Sequence, residues 1–200
     1  MIYYEEREVN GTIEEPSTVA FIDEICNIMS SPLTNEVIQM KPTLESIQRV
    51  FFEAMAGGWA QDVQKIEVPE FPGSKMIPFV IGNFRALDFY MVTPDSEKST
   101  GITTIWYKNQ PVWIMHYGGW YAELAIPFLK SCLHRAYVDE RRFYGGRGPT
   151  FVRGERFTYV NRIERNDFED FVGEERIFDL SEQCFGYHWY RGMSLLNNNQ

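Results

Sequence analysis

The spacing of apolar positions changes along the chain, and each change predicts an element. Val19, Ile22, Cys26 and Met29 recur every three to four residues, which predicts a first helix opened by Pro16-Ser17 and ended by Ser30-Ser31-Pro32. Thr43 is a suitable N-cap for a second, with Leu44, Ile47, Val50-Phe51 and Ala54-Met55 on one face and Gly57-Gly58 as its stop. A third is expected to begin between Ala122 and Pro127 and to carry the stripe Ile126, Leu129, Leu133 and Ala136-Tyr137. Elsewhere the chain is β-branched and aromatic, which predicts strands over 76–82, 84–92, 102–107, 111–117, 156–163, 176–180 and 183–190. The clearest hairpin turns at Lys108-Asn109-Gln110-Pro111. Alternation after that turn places Val112, Ile114 and His116 on one face and Trp113, Met115 and Tyr117 on the other. Both faces are largely apolar, so this strand is expected to be central or to line a pocket. The element order predicts an α+β fold: a twisted, largely antiparallel β-sheet with about three helices packed on it.

Composition narrows the possibilities. A chain of 200 residues that is 44% hydrophobic and 24% charged is long enough for one core without staples. We expect an acidic arm over 1–15, one domain over 16–195 and a polar tail over 196–200. The net charge of −9 argues against general binding to nucleic acid or anionic membranes. No apolar run approaches the roughly 18 residues of a membrane span. The acidic start lacks the basic region and apolar stretch of a secretory signal. Cys26, Cys132 and Cys184 are odd in number and widely spaced, so no disulfide framework or zinc knuckle is expected, and Cys26 and Cys132 read as buried. A cytoplasmic location follows as an expectation.

Candidate chemistry is sparse. The sequence contains no metal-ligand spacing, nucleophile elbow or phosphate-binding loop, so no cofactor or metal is expected. His116 and His188 are candidate bases if adjacent strands bring both rings into one cleft, with Asp88 or Glu123 nearby. Gly118-Gly119 and Gly145-Gly146 read as turns; Glu174-Glu175 after Gly173 could pair as acid and base, but solvated carboxylates after a turn are the commoner case. Arg141-Arg142, Arg147, Arg153 and Arg156 form a lysine-free basic strip suited to carboxylate or phosphate, or to the chain's own excess acids. Asp88 sits inside an apolar strand and must be paired if buried; Arg147, flanked by glycines, is the expected partner, directly or through a shared ligand. The 31 aromatic side chains (15 Phe, 5 Trp, 11 Tyr) offer either a bulky core or a stacking pocket, for which Trp106, Trp113 and Tyr117 are candidates beside Arg147 and Asp88.

Several short segments between Phe51 and Leu195 stand in a recognisable order. They are Pro72-Gly73-Ser74-Lys75; Gly82-Asn83-Phe84 with Asp88 and Tyr90; Trp106 before Pro111-Val112-Trp113-Ile114-Met115-His116-Tyr117-Gly118-Gly119; Phe128-Leu129-Lys130 with Leu133; Arg147-Gly148-Pro149; and Phe171-Val172-Gly173-Glu174-Glu175 with Ile177. In this the chain resembles an uncharacterised conserved bacterial domain that often follows an XRE-type helix-turn-helix, here in stand-alone form. It departs from that pattern at His116, where Asn is usual, and at Tyr190-Arg191-Gly192, where a His-Gly-Gly-like turn is usual. The resemblance implies an effector-reading role and no particular reaction. The leading expectation is a small-molecule-binding or sensor module with an aromatic-lined pocket, not an enzyme. The alternatives are a small-molecule hydrolase or isomerase using His and carboxylate, and a protein-interaction module, with a homodimer as a further expectation.

Overall fold

Leu44–Gly57 forms helix α1 because its apolar residues share one stripe: Ile47, Val50, Phe51, Ala54 and Met55 are buried. The Thr43 hydroxyl caps it by accepting from the Ser46 N–H at 3.2 Å, and the Gly58 N–H closes its end on the Ala54 carbonyl at 2.9 Å. The computed structural model describes residues 41–59 and 63–197, which fall in the compact unit Val37–Gln200. The first expected helix, Cys26 and the acidic arm lie outside the described residues. Two α-helices are therefore described, where about three were expected. The second, α2, runs over Ile126–His134, entered by a 3-10 turn at Glu123–Ala125 and continued by a π-helical turn at Arg135–Asp139. It buries Leu129, Cys132 and Leu133, and the π turn buries Ala136 and Tyr137.

Among the described residues nine strands form one antiparallel sheet: β1 (Ile66–Glu67), β2 (Ser74–Ile81), β3 (Phe84–Val92), β4 (Lys98–Tyr107), β5 (Gln110–Tyr121), β6 (Phe151–Arg153), β7 (Phe157–Asp167), β8 (Asp170–Asp179) and β9 (Cys184–Ser194). Their order is β1-β2-β3-β4-β5-β9-β8-β7-β6. The sheet is thus two meanders joined along β5 and β9, with α2 in the connection between them. The β4–β5 hairpin turns on two residues only, Lys108 and Asn109, whose φ angles of 47° and 65° suit a type I′ turn. Gln110, expected in the loop, belongs to β5, as does Pro111, the expected first residue of the strand. Likewise 176–180 is only the end of a ten-residue β8, which also takes in the presumed turn at Gly173.

One face of the sheet carries the core, and the expected alternation holds there. Trp113, Met115 and Tyr117 are buried, whereas His116 on the opposite face is exposed. The Trp113 indole stacks between Phe168 and Phe171, with centroids at 5.2 and 5.3 Å, and its N–H donates to the Phe168 carbonyl at 3.1 Å. Large rings on this face lie over glycines directly opposite them on the neighbouring strand. Tyr117 faces Gly101, His188 faces Gly119, Tyr121 faces Gly186, Tyr190 faces Gly173 and Phe171 faces Gly192. A Cβ at any of these glycines would come within 2.7 Å of the facing side chain. Gly118-Gly119 is therefore strand interior, not turn: Gly119 makes room for an imidazole.

Candidate functional site

The segment between the π turn and β6 crosses the core face, and a buried loop is stable only if its backbone polar groups find partners. Side chains supply them. The Tyr137 hydroxyl donates to the Gly146 carbonyl at 2.8 Å, and the Gly148 N–H donates to the Tyr159 hydroxyl at 3.0 Å. Asn161 donates to the carbonyls of Tyr144 and Gly148, while its own carbonyl oxygen accepts from Tyr190 at 2.6 Å. The Gly145 N–H donates to the side-chain oxygen Oδ1 of Asn166 at 2.8 Å. Gly145 and Gly146 adopt φ angles of 67° and 83°, which glycine reaches without strain.

This loop delivers Arg147 to Glu175. Their side chains are 5% and 0% exposed, and Arg147 Nη2 and Nε lie 2.6 and 2.9 Å from Glu175 Oε1. Tyr121 and Tyr159 donate short hydrogen bonds to the two oxygens of the same carboxylate. Burial pushes the Glu175 carboxyl up, but the Arg147 charge and its hydrogen bonds outweigh that and hold it below the usual carboxylate range. Burial and the Glu175 charge together raise both tyrosines well above 10, so they remain donors.

A second buried acid lies on β3. Asp88 Oδ1 accepts from Thr103 Oγ1 and from the Tyr117 hydroxyl, each at 2.7 Å. Burial raises its carboxyl above the ordinary value, and the two hydrogen bonds only partly offset this. Between the two acids stands His188, stacked on Tyr121 at 4.9 Å and tilted against Tyr117 at 5.6 Å. Both its nitrogens are buried without a hydrogen-bond partner among the described residues. Burial, reinforced by the Arg147 charge, depresses its pKa from 6.5 to about 3, so the ring is neutral.

These groups adjoin a cavity of about 260 Å³. Trp59, Tyr90, Tyr117 and Tyr121 supply its aromatic wall, Ile77, Leu129 and Leu133 its aliphatic wall, and His188 and Arg147 its buried polar groups. Several expectations need correction here. Arg147 pairs with Glu175 and not with Asp88. Glu175 is no solvated carboxylate: in β8 the residues Phe171, Gly173, Glu175 and Ile177 all face inward. His116 and His188 do sit on adjacent strands, but His116 pairs across from Arg191 and His188 from Gly119, so the rings occupy opposite faces. Trp113 belongs to the solid core, and Trp106 is half-buried on the outer face beside a bulge, so neither lines the cavity. Tyr117, His188 and Arg147 line it; Asp88 sits behind Tyr117. Sequence reasoning did not assign Trp59, Tyr90 or Tyr121 to the site, and it favoured a solvated place for Glu175. The inward alternation of β8 was the available signal for Glu175.

Among the described residues no three metal-ligating side chains cluster, and no helix is long and apolar enough to cross a membrane. No curated protein and no solved structure matches the chain. A family match covers residues 92–194, a shorter stretch than the expected 51–195, running from the last residue of β3 to the last of β9. It includes Tyr117, Tyr121, Arg147, Glu175 and His188, and leaves out Trp59 and Asp88. Because that match takes in more than half of the 200 residues, the chain belongs to the DUF5680 family, a domain of unknown function.

Proposed function

We propose that the protein is a small-molecule-binding module whose site is the cavity between α2, β2–β5 and β9. One observation carries this reading: the cavity is walled by aromatic rings around a histidine whose two buried nitrogens have no partner among the described residues. Leaving a buried polar group unsatisfied costs about 1–3 kcal/mol, and such costs concentrate where a ligand can relieve them. Elsewhere the aromatic residues fill space against one another, as around Trp113, whereas Tyr90, Tyr117 and Tyr121 surround it. An apolar cavity of about 150 Å³ already admits benzene, so this one has room for a larger molecule. The resemblance to domains that follow an XRE-type helix-turn-helix adds a regulatory form of the same reading, in which the bound molecule is an effector. The hydrolase or isomerase alternative has less support, because an imidazole depressed to about 3 is a weak base.

The reading is tested by thermal shift against a chemically diverse metabolite library, using wild type and Ile77→Trp. Ile77 lines the cavity, and tryptophan there fills it. The expected result is a set of compounds that raise the wild-type Tm and fail to raise that of the variant. A wild type that responds to nothing, or responses that Ile77→Trp leaves intact, would count against the proposal.

A further inference from the structure

The charge around the cavity is mostly positive among the described residues. The whole sequence contains six lysines, and four of them, Lys65, Lys75, Lys98 and Lys130, line this one space. They come from separate places: Lys65 just before β1, Lys75 in β2, Lys98 at the start of β4 and Lys130 in α2. Among the described lining residues the only acid is Glu97, and the Arg147 charge is already matched by Glu175. In a chain of net charge −9, such convergence concentrates positive potential around one cavity. Lys65 also ties this charge to the aromatic wall, its Nζ lying 5.7 and 5.8 Å from the ring centroids of Trp59 and Tyr90.

A second, independent observation lies among the cavity's buried groups. The neutral His188 ring has one N–H to give and one nitrogen to accept with, and both are buried and unpartnered among the described residues. A purely hydrocarbon guest would leave both unsatisfied.

We infer that the ligand is a flat anion about two fused rings in size. The lysines hold its carboxylate or phosphate, and its ring body, bearing a hydrogen-bonding heteroatom, lies against Tyr90, Tyr117, Tyr121 and His188. This rests on the cavity being the binding site. Lysine suits such an anion because an ammonium is a compact charge that demands no fixed fork geometry. The size follows from a volume of about 260 Å³, nearly twice that of a cavity that holds benzene.

Isothermal titration of the full chain with quinoline-2-carboxylate, 2-naphthoate, 2-naphthyl phosphate and 2-naphthamide tests the inference. The anions are expected to bind about tenfold or more tighter than the amide, the usual worth of a charge-assisted hydrogen bond. The heterocyclic carboxylate should exceed 2-naphthoate, and the ranking of carboxylate against phosphate identifies which anion the rim prefers. Lys75→Gln with Lys98→Gln leaves Lys65 and Lys130 in place and should therefore shrink the preference for anions over the amide several-fold. Equal binding of amide and anions, or a preference that both lysine substitutions leave undiminished, overturns the anion class but not the cavity. No gain from the ring nitrogen removes the role given to His188. If no probe binds while library compounds still raise the Tm, the ligand class is wrong and the site stands. If neither assay responds, both fail.

Discussion

At the scale of single residues, Arg147 and Glu175 hold the centre of the molecule together. Burying two charges costs several kcal/mol per ion, and mutual attraction offsets this only when the remaining hydrogen-bonding capacity is used. Here it is: Tyr121 and Tyr159 occupy the carboxylate that Arg147 holds. Removing one partner is therefore worse than removing both charges. Arg147→Met is expected to destabilise by about 3–5 kcal/mol, because it strands the Glu175 carboxylate in the core. Adding Glu175→Gln, which removes the stranded charge, keeps an acceptor oxygen for one tyrosine and offers an amide N–H to the hydroxyl of the other, should recover a substantial part of the loss. Urea denaturation of the two variants measures both effects, and a wild-type midpoint for Arg147→Met would mean that the buried pair does not exist. The sequence made it plain that Arg147 and Asp88 need partners. It could not choose among partners, since Thr103, Tyr117 and Glu175 become neighbours only through cross-strand register.

At the scale of elements, glycines set how the strands carry their rings. An aromatic side chain on a flat pleated face would normally stand upright beside its cross-strand neighbour; where that neighbour is glycine the ring can lie across it. The cleanest instance is Gly186, where a Cβ would meet only Tyr121, 2.4 Å from Cδ1. Gly186→Ala is expected to cost about 1–3 kcal/mol by overpacking, and almost nothing in a Tyr121→Ala background. Equal costs in both backgrounds would refute the pairing. These glycines also explain which elements were hard to read. The β3 span and both faces of β5 were legible from period-2 alternation, as was the stripe of α1 from its helical period. Gly118-Gly119 and Gly173-Glu174-Glu175 look like turns in one dimension, because glycine marks both a turn and a place where a ring must lie flat. Only the facing strand distinguishes the two.

At the scale of the whole molecule, the seam between the meanders brings Tyr117 and Tyr121 of β5 beside His188 of β9, and no local pattern in the sequence announces that the last strand returns to the middle. The seam should also govern how the fold responds to acid. Burial, with the Arg147 charge adding to it and Glu175 opposing it, depresses His188 from 6.5 to about 3. The unfolded chain therefore takes up this proton first, and folding stability is lost as pH falls below about 6.5, continuing toward pH 3. Glu175, held below its ordinary value, adds a further loss at lower pH, once the unfolded carboxylate begins to protonate. Asp88 works in the opposite direction: its raised pKa means that acid relieves a buried charge, so its contribution grows as pH falls. Between pH 6.5 and 4.5 the His188 loss taken alone is roughly 2 kcal/mol, and the Asp88 gain opposes it. His188→Phe keeps a ring over Gly119 and removes both unpartnered nitrogens. It should flatten the urea midpoint across that range, and Asp88→Asn should steepen it. A His188→Phe protein with the wild-type slope would show that the buried imidazole is not what makes this fold sensitive to mild acid.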